Sequence, residues 1–436
     1  MKKYISFSII VVLLGLAGCK VGPDFETPVV QTEPYFRYDS LRQDTVINLM
    51  WWELFDDEQL QTLIKVAIEE NLNVKMAAAR VEEARAYLGY NKADLWPKFG
   101  YQGTVSRNNT NVIITGDNTP QNMIFAQAPV MSWELDFWGK YRRATESAQA
   151  ELLASNYNMR TVLVSLISDV AVTYFMLLDF RNRYEISLDT YEARKQSTEL
   201  IQARFDKGIV PELDLNQAQI QEAIAASAVP RYERAVSVTE HTLSILLGRN
   251  PGAVTVTESI DTTLLPPPIP AGIPSELLKR RPDILEAEQM AAAQTARIGV
   301  AQAMRFPSIS LTGLLGIASS SLSGITLAEN GVWSASAGLL GPIFEFGKNK
   351  RRVEVERKRA EQLVYAYENT VLGAFKEVED ALIEIHTYNN EIDAVRLRLY
   401  AANNARDLSW ARYNGGVTSY LEFLYQENER FNAQLM

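Results

Sequence analysis

The sequence predicts a mainly α-helical protein made of an internal two-fold repeat, with a small β part and very long helices. Three observations support this prediction. The stretch 203–225 recurs at 411–433 with its spacing unchanged, including a glycine that follows each helical run. Each half contains two segments in which polar and apolar residues alternate, which is the period of a β strand. Neither proline nor glycine occurs from Lys140 to Lys207, which is unusually long for a helix in a globular domain.

The composition argues against several functional classes. The chain has 436 residues and a formal net charge of −10, so it lacks the basic surface that a nucleic-acid partner normally needs. Its single cysteine excludes an intrachain disulfide framework and a cysteine-rich metal site. His241 and His386 lie far apart in the sequence, and no segment assembles a nucleophile with a base. We therefore expect no enzyme activity, no cofactor and no metal.

The chain begins with a predicted export signal at residues 1–18. Two lysines precede an apolar run that is too short to span a membrane. The sequence LAGC that ends at Cys19 is similar to a bacterial lipobox, so Cys19 is predicted to be lipidated and to become the new N-terminus. The alternative is an ordinary signal peptide with a coincidental cysteine. Lys20 stands where an aspartate would signal inner-membrane retention in proteobacteria, and this favours the outer membrane.

The mature chain is expected to start with an arm and a first structural repeat. Residues 19–50 contain three prolines and no helical period, which predicts an extended arm on the surface. The repeat at 51–263 opens with two helices, of which the first has an apolar period of three and four, followed by a β hairpin at about 99–137 with one apolar and one polar face. The apolar positions are Phe99, Tyr101, Val105, Met131, Trp133, Leu135 and Phe137. The polar positions are Lys98, Gln102, Thr104, Ser106, Ser132, Glu134 and Asp136.

The glycine-free run after this hairpin predicts one continuous helix. At about 1.5 Å per residue it would be on the order of 100 Å long, as in coiled coils and tunnels. Its part at 162–180 is apolar enough for a membrane span, but polar residues at steps of three and four form a stripe, so we predict an amphipathic helix. The alternative is a kinked core helix. The stripe contains Thr161, Ser165, Ser168, Asp169 and Thr173.

The second half of the chain repeats this order. A proline-rich linker at 264–274 leads to a second structural repeat at 275–436. Its β hairpin is predicted at about 308–343, where Ile309 and Leu311 alternate with serine and threonine. A second long helical run follows. By comparison with the first repeat, the last helix is expected to continue beyond the end of the printed chain.

Each long helix is predicted to end in a tight helical hairpin, with tips at about 204–217 and 412–425. Gly208 and Gly416 occupy equivalent positions, where a residue with positive φ would end the helix. Asp214 and Glu422 are also equivalent and lie in the first turn of the return helices. These carboxylates favour the helix N-terminus electrostatically, so a purely structural capping role is one hypothesis for both.

The strand count constrains the assembly. The apolar strand faces suit lipid and the polar faces suit water, yet four strands cannot close a membrane barrel. Open sheet edges are not tolerated in hydrocarbon, so other copies of the chain must complete the barrel. Two copies would give a narrow or filled interior, and three would give a wider one.

The mature chain is similar to TolC-type outer-membrane efflux proteins, in the lipoprotein branch that serves RND efflux pumps. The similarity rests on the order and spacing of short motifs, each of which is modest alone. Together with the two hairpins, they cover essentially the whole mature chain. The motifs are the lipobox, VGPDF at 21–25, WWELFDD at 51–57, RPDI at 281–284 and FPSISL at 306–311.

This resemblance implies a homotrimer in which twelve strands form one β barrel and the long helices form a tunnel across the periplasm. The protein would be anchored by lipid in the outer membrane, with a large periplasmic portion. Its partners would be a periplasmic adaptor protein and an inner-membrane RND transporter. The implied function is passive conduction of exported small molecules. A type I secretion duct and a periplasmic coiled-coil scaffold lipoprotein are the alternatives, and the sequence does not identify the exported compound.

The resemblance also assigns roles to the tips. The adaptor would dock near Gly208 and Ile209 in the first hairpin, and near Gly416 and Val417 in the second. Glu422 would belong to an acidic ring at the closed periplasmic entrance, with Asp214 as its equivalent in the first hairpin. The family often has a second acid three residues later, where this chain has Gln217 and Tyr425, so the ring would carry less charge.

Overall fold

A computed structural model describes residues 20–32, 36–37, 51–106, 124–256, 274–319 and 330–436. Cys19, the predicted signal peptide, most of the predicted linker and the turns of both β hairpins lie outside these residues. The described helices are α1 (Glu58–Glu70), α2 (Leu72–Ala93), α3 (Lys140–Asp206), α4 (Glu212–Leu246), α5 (Pro274–Arg280), α6 (Pro282–Ala303), α7 (Lys348–Asn414) and α8 (Tyr420–Gln434). A 3₁₀ helix at Trp51–Phe55 precedes α1. The strands are β1 (Lys98–Ser106), β2 (Ile124–Leu135), β3 (Ser308–Ser319) and β4 (Gly331–Leu340).

The order and lengths of these elements agree with the two-fold repeat. The long helices α3 and α7 each have 67 residues, and the helices that precede the hairpins, α2 and α6, each have 22. The chain divides into two compact units, each of which draws on both repeats. We call the first the sheet unit, which contains the described parts of residues 1–31, 78–158 and 279–372. We call the second the tip unit, which contains the described parts of residues 32–77, 159–278 and 373–436.

The sheet unit contains one four-stranded antiparallel sheet in the order β1-β2-β3-β4, so the four predicted strands are confirmed. The register aligns the predicted faces across all four strands. On the apolar face, Phe99 lies opposite Met131, which lies opposite Gly313 in β3. On the polar face, Lys98, Ser132 and Thr312 are aligned in the same way. Because side chains alternate along a strand, one aligned row fixes the face of every other row.

Each of the two outer strands has a strand partner on one side only among the described residues. The two hairpins of the chain pair with each other through β2 and β3, which leaves β1 and β4 as the edges. The side chains of β4 are exposed along its whole length. An edge strand presents a row of unpaired N–H and C=O groups, and such a row is a template for further pairing.

The strand-to-helix connection after β2 is fixed by the carboxylate of Asp136, which directly follows that strand. Asp136 accepts hydrogen bonds from the backbone N–H groups of Tyr141 and Arg142, at 2.8 and 2.9 Å, and so caps the start of α3. The same carboxylate pairs with the Arg142 side chain at 3.0 Å. Gly139, with φ of 78°, makes the turn between strand and helix. The helix therefore starts at a defined point below the sheet.

The N-terminal arm is bound to the sheet unit by Arg143, whose side chain is almost fully buried. The guanidinium donates hydrogen bonds to the carbonyl oxygens of Val21 and Gly22, at 3.0 and 2.8 Å. It also pairs with Asp24 at 3.0 Å, and this hydrogen bond lowers the pKa of the Asp24 carboxyl. At Gly22 the arm backbone lies directly against Gly299 of α6.

The tip unit has a hydrophobic core formed by α1, the middle of α3 and the end of α4. Its members include Leu60, Val170, Tyr174, Leu177 and Leu243, all of which are fully buried. Among the described helices, α3 is the one that is long and apolar enough to cross a membrane by length and composition. Its apolar stretch instead supplies this core, as the amphipathic pattern predicts.

Candidate functional site at the helical tips

Both long helices end in the same backbone turn. Gly208 has φ of 70° and Gly416 has φ of 71°, which confirms the predicted left-handed positions. In each hairpin the next residue closes the turn: the N–H of Ile209 donates to the carbonyl of Arg204 at 2.9 Å, and that of Val417 to Arg412 at 3.0 Å. In each turn the N–H of the sixth residue donates to the carbonyl of the first. This hydrogen bond is typical of the Schellman motif, which satisfies carbonyls left free at a helix end.

The tips expose apolar side chains. Ile209 and Val417 are 67% and 72% exposed, and Leu213 and Leu421, which are equivalent to each other, are 64% and 60% exposed. A Cβ added at either tip glycine would meet no atom within 4 Å. The tip surface is thus open and partly apolar, which suits protein contacts better than a solvated loop would.

We expect Gly416→Ala to destabilise the second tip turn by about 1–2 kcal/mol, the usual cost of a left-handed conformation for a residue with a Cβ. Because the new methyl group has free space, backbone strain is the only source of the effect. Amide hydrogen exchange at Val417, whose N–H closes the turn, should become several-fold faster. Gly415→Ala is the control, since Gly415 lacks a positive φ. Equal exchange rates in the two variants would contradict the assignment.

An aromatic cluster joins the two hairpins of the chain. The ring of Phe423 lies 4.7 Å from that of Trp410, and the ring of Tyr420 lies 5.2 Å from that of Tyr413. Tyr420 is almost fully buried, and burial raises the pKa of its hydroxyl. Apolar residues of the first hairpin complete the cluster. They are Ile201, Leu215 and Ala218, with Phe205 and Val210 partly buried beside them.

Next to the aromatic cluster lies a buried ionic group around Glu427 of α8. Arg406 donates to its carboxylate at 2.9 Å, and Arg430 lies 3.6 Å away. Arg194 of α3 is 4% exposed and donates to the Asn428 side chain at 2.9 Å. Burial lowers the pKa of Arg194, and the Glu427 charge opposes that shift. Arg194, Arg406 and Glu427 line a cavity of about 210 Å³.

The predicted gate residue Glu422 lies in the first turn of α8 and is partly exposed. Its carboxylate accepts a hydrogen bond from the Thr418 hydroxyl and lies 3.7 Å from the Arg412 guanidinium. Both contacts are within its own hairpin. The geometry is compatible with the helix-start role, and it leaves part of the carboxylate open to solvent. The gate role of Glu422 stays a prediction.

The first hairpin differs from the second at the same positions. Asp214 is half-buried in the first turn of α4. Arg204, the equivalent of Arg412, instead donates to Asn414 of the other hairpin at 3.3 Å and lies over the Tyr413 ring. The structure therefore brings Glu422 together with an arginine of its own hairpin, whereas the arginine of the Asp214 hairpin turns to the other hairpin.

Sequence analysis missed the ionic group of Arg194, Arg406 and Glu427. Charged residues in a long helical run normally indicate a solvated surface, and nothing local marks these as buried. Nor does the repeat reveal them, because the equivalents of Arg194 and Glu427 are Ala402 and Gln219. Arg194 and Glu427 lie far apart in the sequence, so only the packing of the two hairpins brings them together.

Comparison with known proteins agrees with this architecture. The family model described as outer membrane efflux protein matches residues 63–249 and 273–436. The chain is 32% identical to the cation efflux system protein CusC of Escherichia coli K12, over 96% of this chain and 92% of CusC. It is 29% identical to the toluene efflux pump outer membrane protein TtgC of Pseudomonas putida, over 99% and 91% of the two chains.

A solved structure shows the same fold. The outer-membrane channel OprN superposes with a TM-score of 0.88 at 29% identity, covering 96% of this chain and 94% of OprN. With the family model matching most of the chain in two segments, the four strands, the paired long helices and the tip turns have one common explanation. The chain belongs to the outer membrane efflux protein family.

Proposed function

We propose that this protein is the outer-membrane exit channel of a tripartite efflux pump and conducts exported small molecules passively. The main support is the sheet, whose single apolar face and two free edges require completion inside a membrane. The names of the relatives, which refer to cation and toluene efflux, support small exported molecules as the substrate class. A periplasmic scaffold would have no use for a lipid-facing sheet.

Three copies are the proposed assembly. In an up-and-down sheet of four strands the two edges run in opposite directions, so β4 of one copy can pair antiparallel with β1 of the next. Three copies give twelve strands and an interior wide enough for solutes, whereas eight strands leave room only for side chains or one small ligand. The long helices would continue from this barrel as a tunnel.

The proposed partners are a periplasmic adaptor and an inner-membrane RND transporter. The adaptor would contact the open tip surfaces at Gly208, Ile209, Gly416 and Val417, since these are exposed and partly apolar. A lipid on Cys19 would hold the arm in the outer membrane, and Arg143 fixes that arm to the sheet unit a few residues later.

The proposed gate is a ring of Glu422 side chains near the trimer axis, with Asp214 as a weaker contributor. A ring of carboxylates at a constriction attracts cations. We expect Glu422→Ala to change the single-channel conductance of the purified protein in planar lipid bilayers, and to reduce its preference for cations.

Glu422→Gln separates this role from helix capping. Glutamine keeps an oxygen that can accept the Thr418 hydrogen bond but removes the charge. The gate hypothesis predicts that both variants differ from wild type in ion selectivity. Wild-type conductance and selectivity in Glu422→Gln would show that the residue only caps the helix.

A further inference from the structure

The two strand-to-helix connections of the sheet unit are equivalent in backbone but differ in their surroundings. Connection 1 (136–143) leads from β2 to α3, and connection 2 (344–351) leads from β4 to α7. Each contains a glycine in the left-handed region, with φ of 78° at Gly139 and 83° at Gly347. Each also ends in an arginine that pairs with a glutamate three residues later, at 2.9 Å in connection 1 and 2.6 Å in connection 2.

Connection 1 is docked on the end of α6 within the chain. The ring of Trp138 stacks on Phe306 with 4.4 Å between centroids, and its indole N–H donates to the Pro307 carbonyl at 2.8 Å. The Arg143 side chain crosses α6 at Gly299, where an added Cβ would come within 2.8 Å of it. The Trp138 ring and the Arg143 side chain thus both pack against the end of α6.

Connection 2 has equivalent residues, but within the described residues no helix end packs against them. Phe346 occupies the position of Trp138 and is 90% exposed. Arg351 occupies the position of Arg143, and its side chain is 74% exposed. Ile343 and Phe344 are also exposed. Phe346 has a positive φ of 48°, which is costly for an aromatic residue, and its ring contact within the described residues is with its neighbour Phe344, at 4.6 Å between centroids.

The surface that binds connection 1 also has an equivalent in the first repeat, and no described residue covers that equivalent. Helix α2 is the equivalent of α6, so Trp96 stands at the position of Phe306 and Gly89 at that of Gly299. Trp96 is 70% exposed, and a Cβ on Gly89 would meet no atom within 4 Å. Gly299, by contrast, is buried. In the described residues, connection 2 and the end of α2 are therefore both exposed. Phe346 and Trp96 are equivalent to Trp138 and Phe306, which stack on each other inside the chain.

We propose that connection 2 of one copy docks on the end of α2 in the neighbouring copy. Phe346 would pack on Trp96 of that copy, and the stem of Arg351 would cross its Gly89. This inference rests on the proposed assembly of several copies into one barrel and specifies the contact between them. We infer that a second copy of this chain binds here, because the same type of contact already forms inside the chain between connection 1 and the end of α6.

The sheet edges give an independent check on this arrangement. Within the chain, Met131 of β2 lies opposite Gly313 of β3. Transferring that pair by the same repeat places Leu339 of β4 opposite Gly103 of β1 in the next copy. Leu339 is on the apolar face of its strand and Gly103 is on the apolar face of β1. The transferred register therefore keeps the lipid-facing side continuous, whereas a shift by one residue would reverse it.

Thiol cross-linking in outer membranes tests the contact. The double variant Trp96→Cys with Phe346→Cys in the full chain should give dimer and trimer bands on denaturing gels after treatment with a short bismaleimide. The calibrating variant is Trp138→Cys with Phe306→Cys, which should react within the chain and leave the monomer band in place. If the calibrating pair reacts and the first pair yields only monomer, these aromatic residues face lipid or solvent and the proposal is wrong.

A second test uses the size of the residue at position 89. Alanine and leucine both favour a helix over glycine, so helix propensity alone would make either variant at least as stable as wild type. The proposed contact predicts that Gly89→Leu lowers the temperature at which oligomers dissociate on gels, and that Gly89→Ala lowers it much less. An unchanged dissociation temperature in Gly89→Leu would overturn the contact at Arg351.

The wild-type assembly separates this inference from the proposed function. An amine-reactive cross-linker applied to wild-type membranes should capture oligomers whatever the contact residues are. Monomers alone in that experiment would refute the channel assembly itself. Oligomers with amine cross-linking, together with no reaction of the 96/346 thiol pair, would refute only the contact proposed here.

Discussion

Gly22→Ala is expected to release the N-terminal arm from the sheet unit. A Cβ at this position would lie 2.4 Å from the Cα of Gly299, which is backbone and cannot move aside as a side chain can. Gly22 also has φ of 102°, which residues with a Cβ rarely adopt. Overpacking of this kind typically costs about 1–3 kcal/mol, and the backbone strain adds to it. The hydrogen bonds of Arg143 to Val21 and Gly22 would be lost together.

Limited proteolysis of the folded protein in detergent would measure this release. We expect the arm of Gly22→Ala to be cut much faster than that of wild type, while the sheet unit stays resistant. Val29→Ala is a suitable control, because Val29 lies in the same arm and is almost fully exposed. If both variants were cut at the wild-type rate, the close approach of Gly22 to Gly299 would not be what holds the arm.

Features that depend on local sequence were predictable. The positive φ at Gly208 and Gly416 follows from a helical run that stops at a glycine, and both the run and the stop are visible in the sequence. The strand faces follow from alternation, because the side-chain period of a strand is fixed by backbone geometry. The repeat strengthened each prediction, since the same pattern had to hold twice.

Features that depend on contacts between residues far apart in the sequence were not predictable. Arg143 stands in the first turn of a helix, where a basic residue normally indicates a solvated surface. It is buried because residues 21 and 22 and a glycine of α6 converge on it. The roles of Glu422 and the tip glycines depend on other molecules, so neither the sequence nor the geometry of one chain determines them.

Glu427→Ala is expected to loosen the joint between the two helical hairpins. The carboxylate is 8% exposed and lies between Arg406 and Arg430, with the buried Arg194 nearby. Removing it leaves these cations without a buried counter-charge, and breaking a buried ion pair in this way costs roughly 3–5 kcal/mol. The value here should fall near the lower end, because the Arg406 side chain is 30% exposed and water can partly replace the lost partner.

Glu429→Ala, two residues further along α8, provides a matched comparison. Glu429 pairs with Arg398 at 3.2 Å, but both side chains are about 40% exposed, and exposed pairs contribute about 0–1 kcal/mol. Hydrogen exchange should therefore accelerate strongly across α8 and the end of α7 in Glu427→Ala and hardly at all in Glu429→Ala. The aromatic cluster and the ionic group join the same hairpins. If the tips form the proposed gate, a loosened ionic group should also give more frequent channel openings in planar bilayers. Wild-type exchange and opening in Glu427→Ala would mean that the aromatic cluster alone holds the tips together.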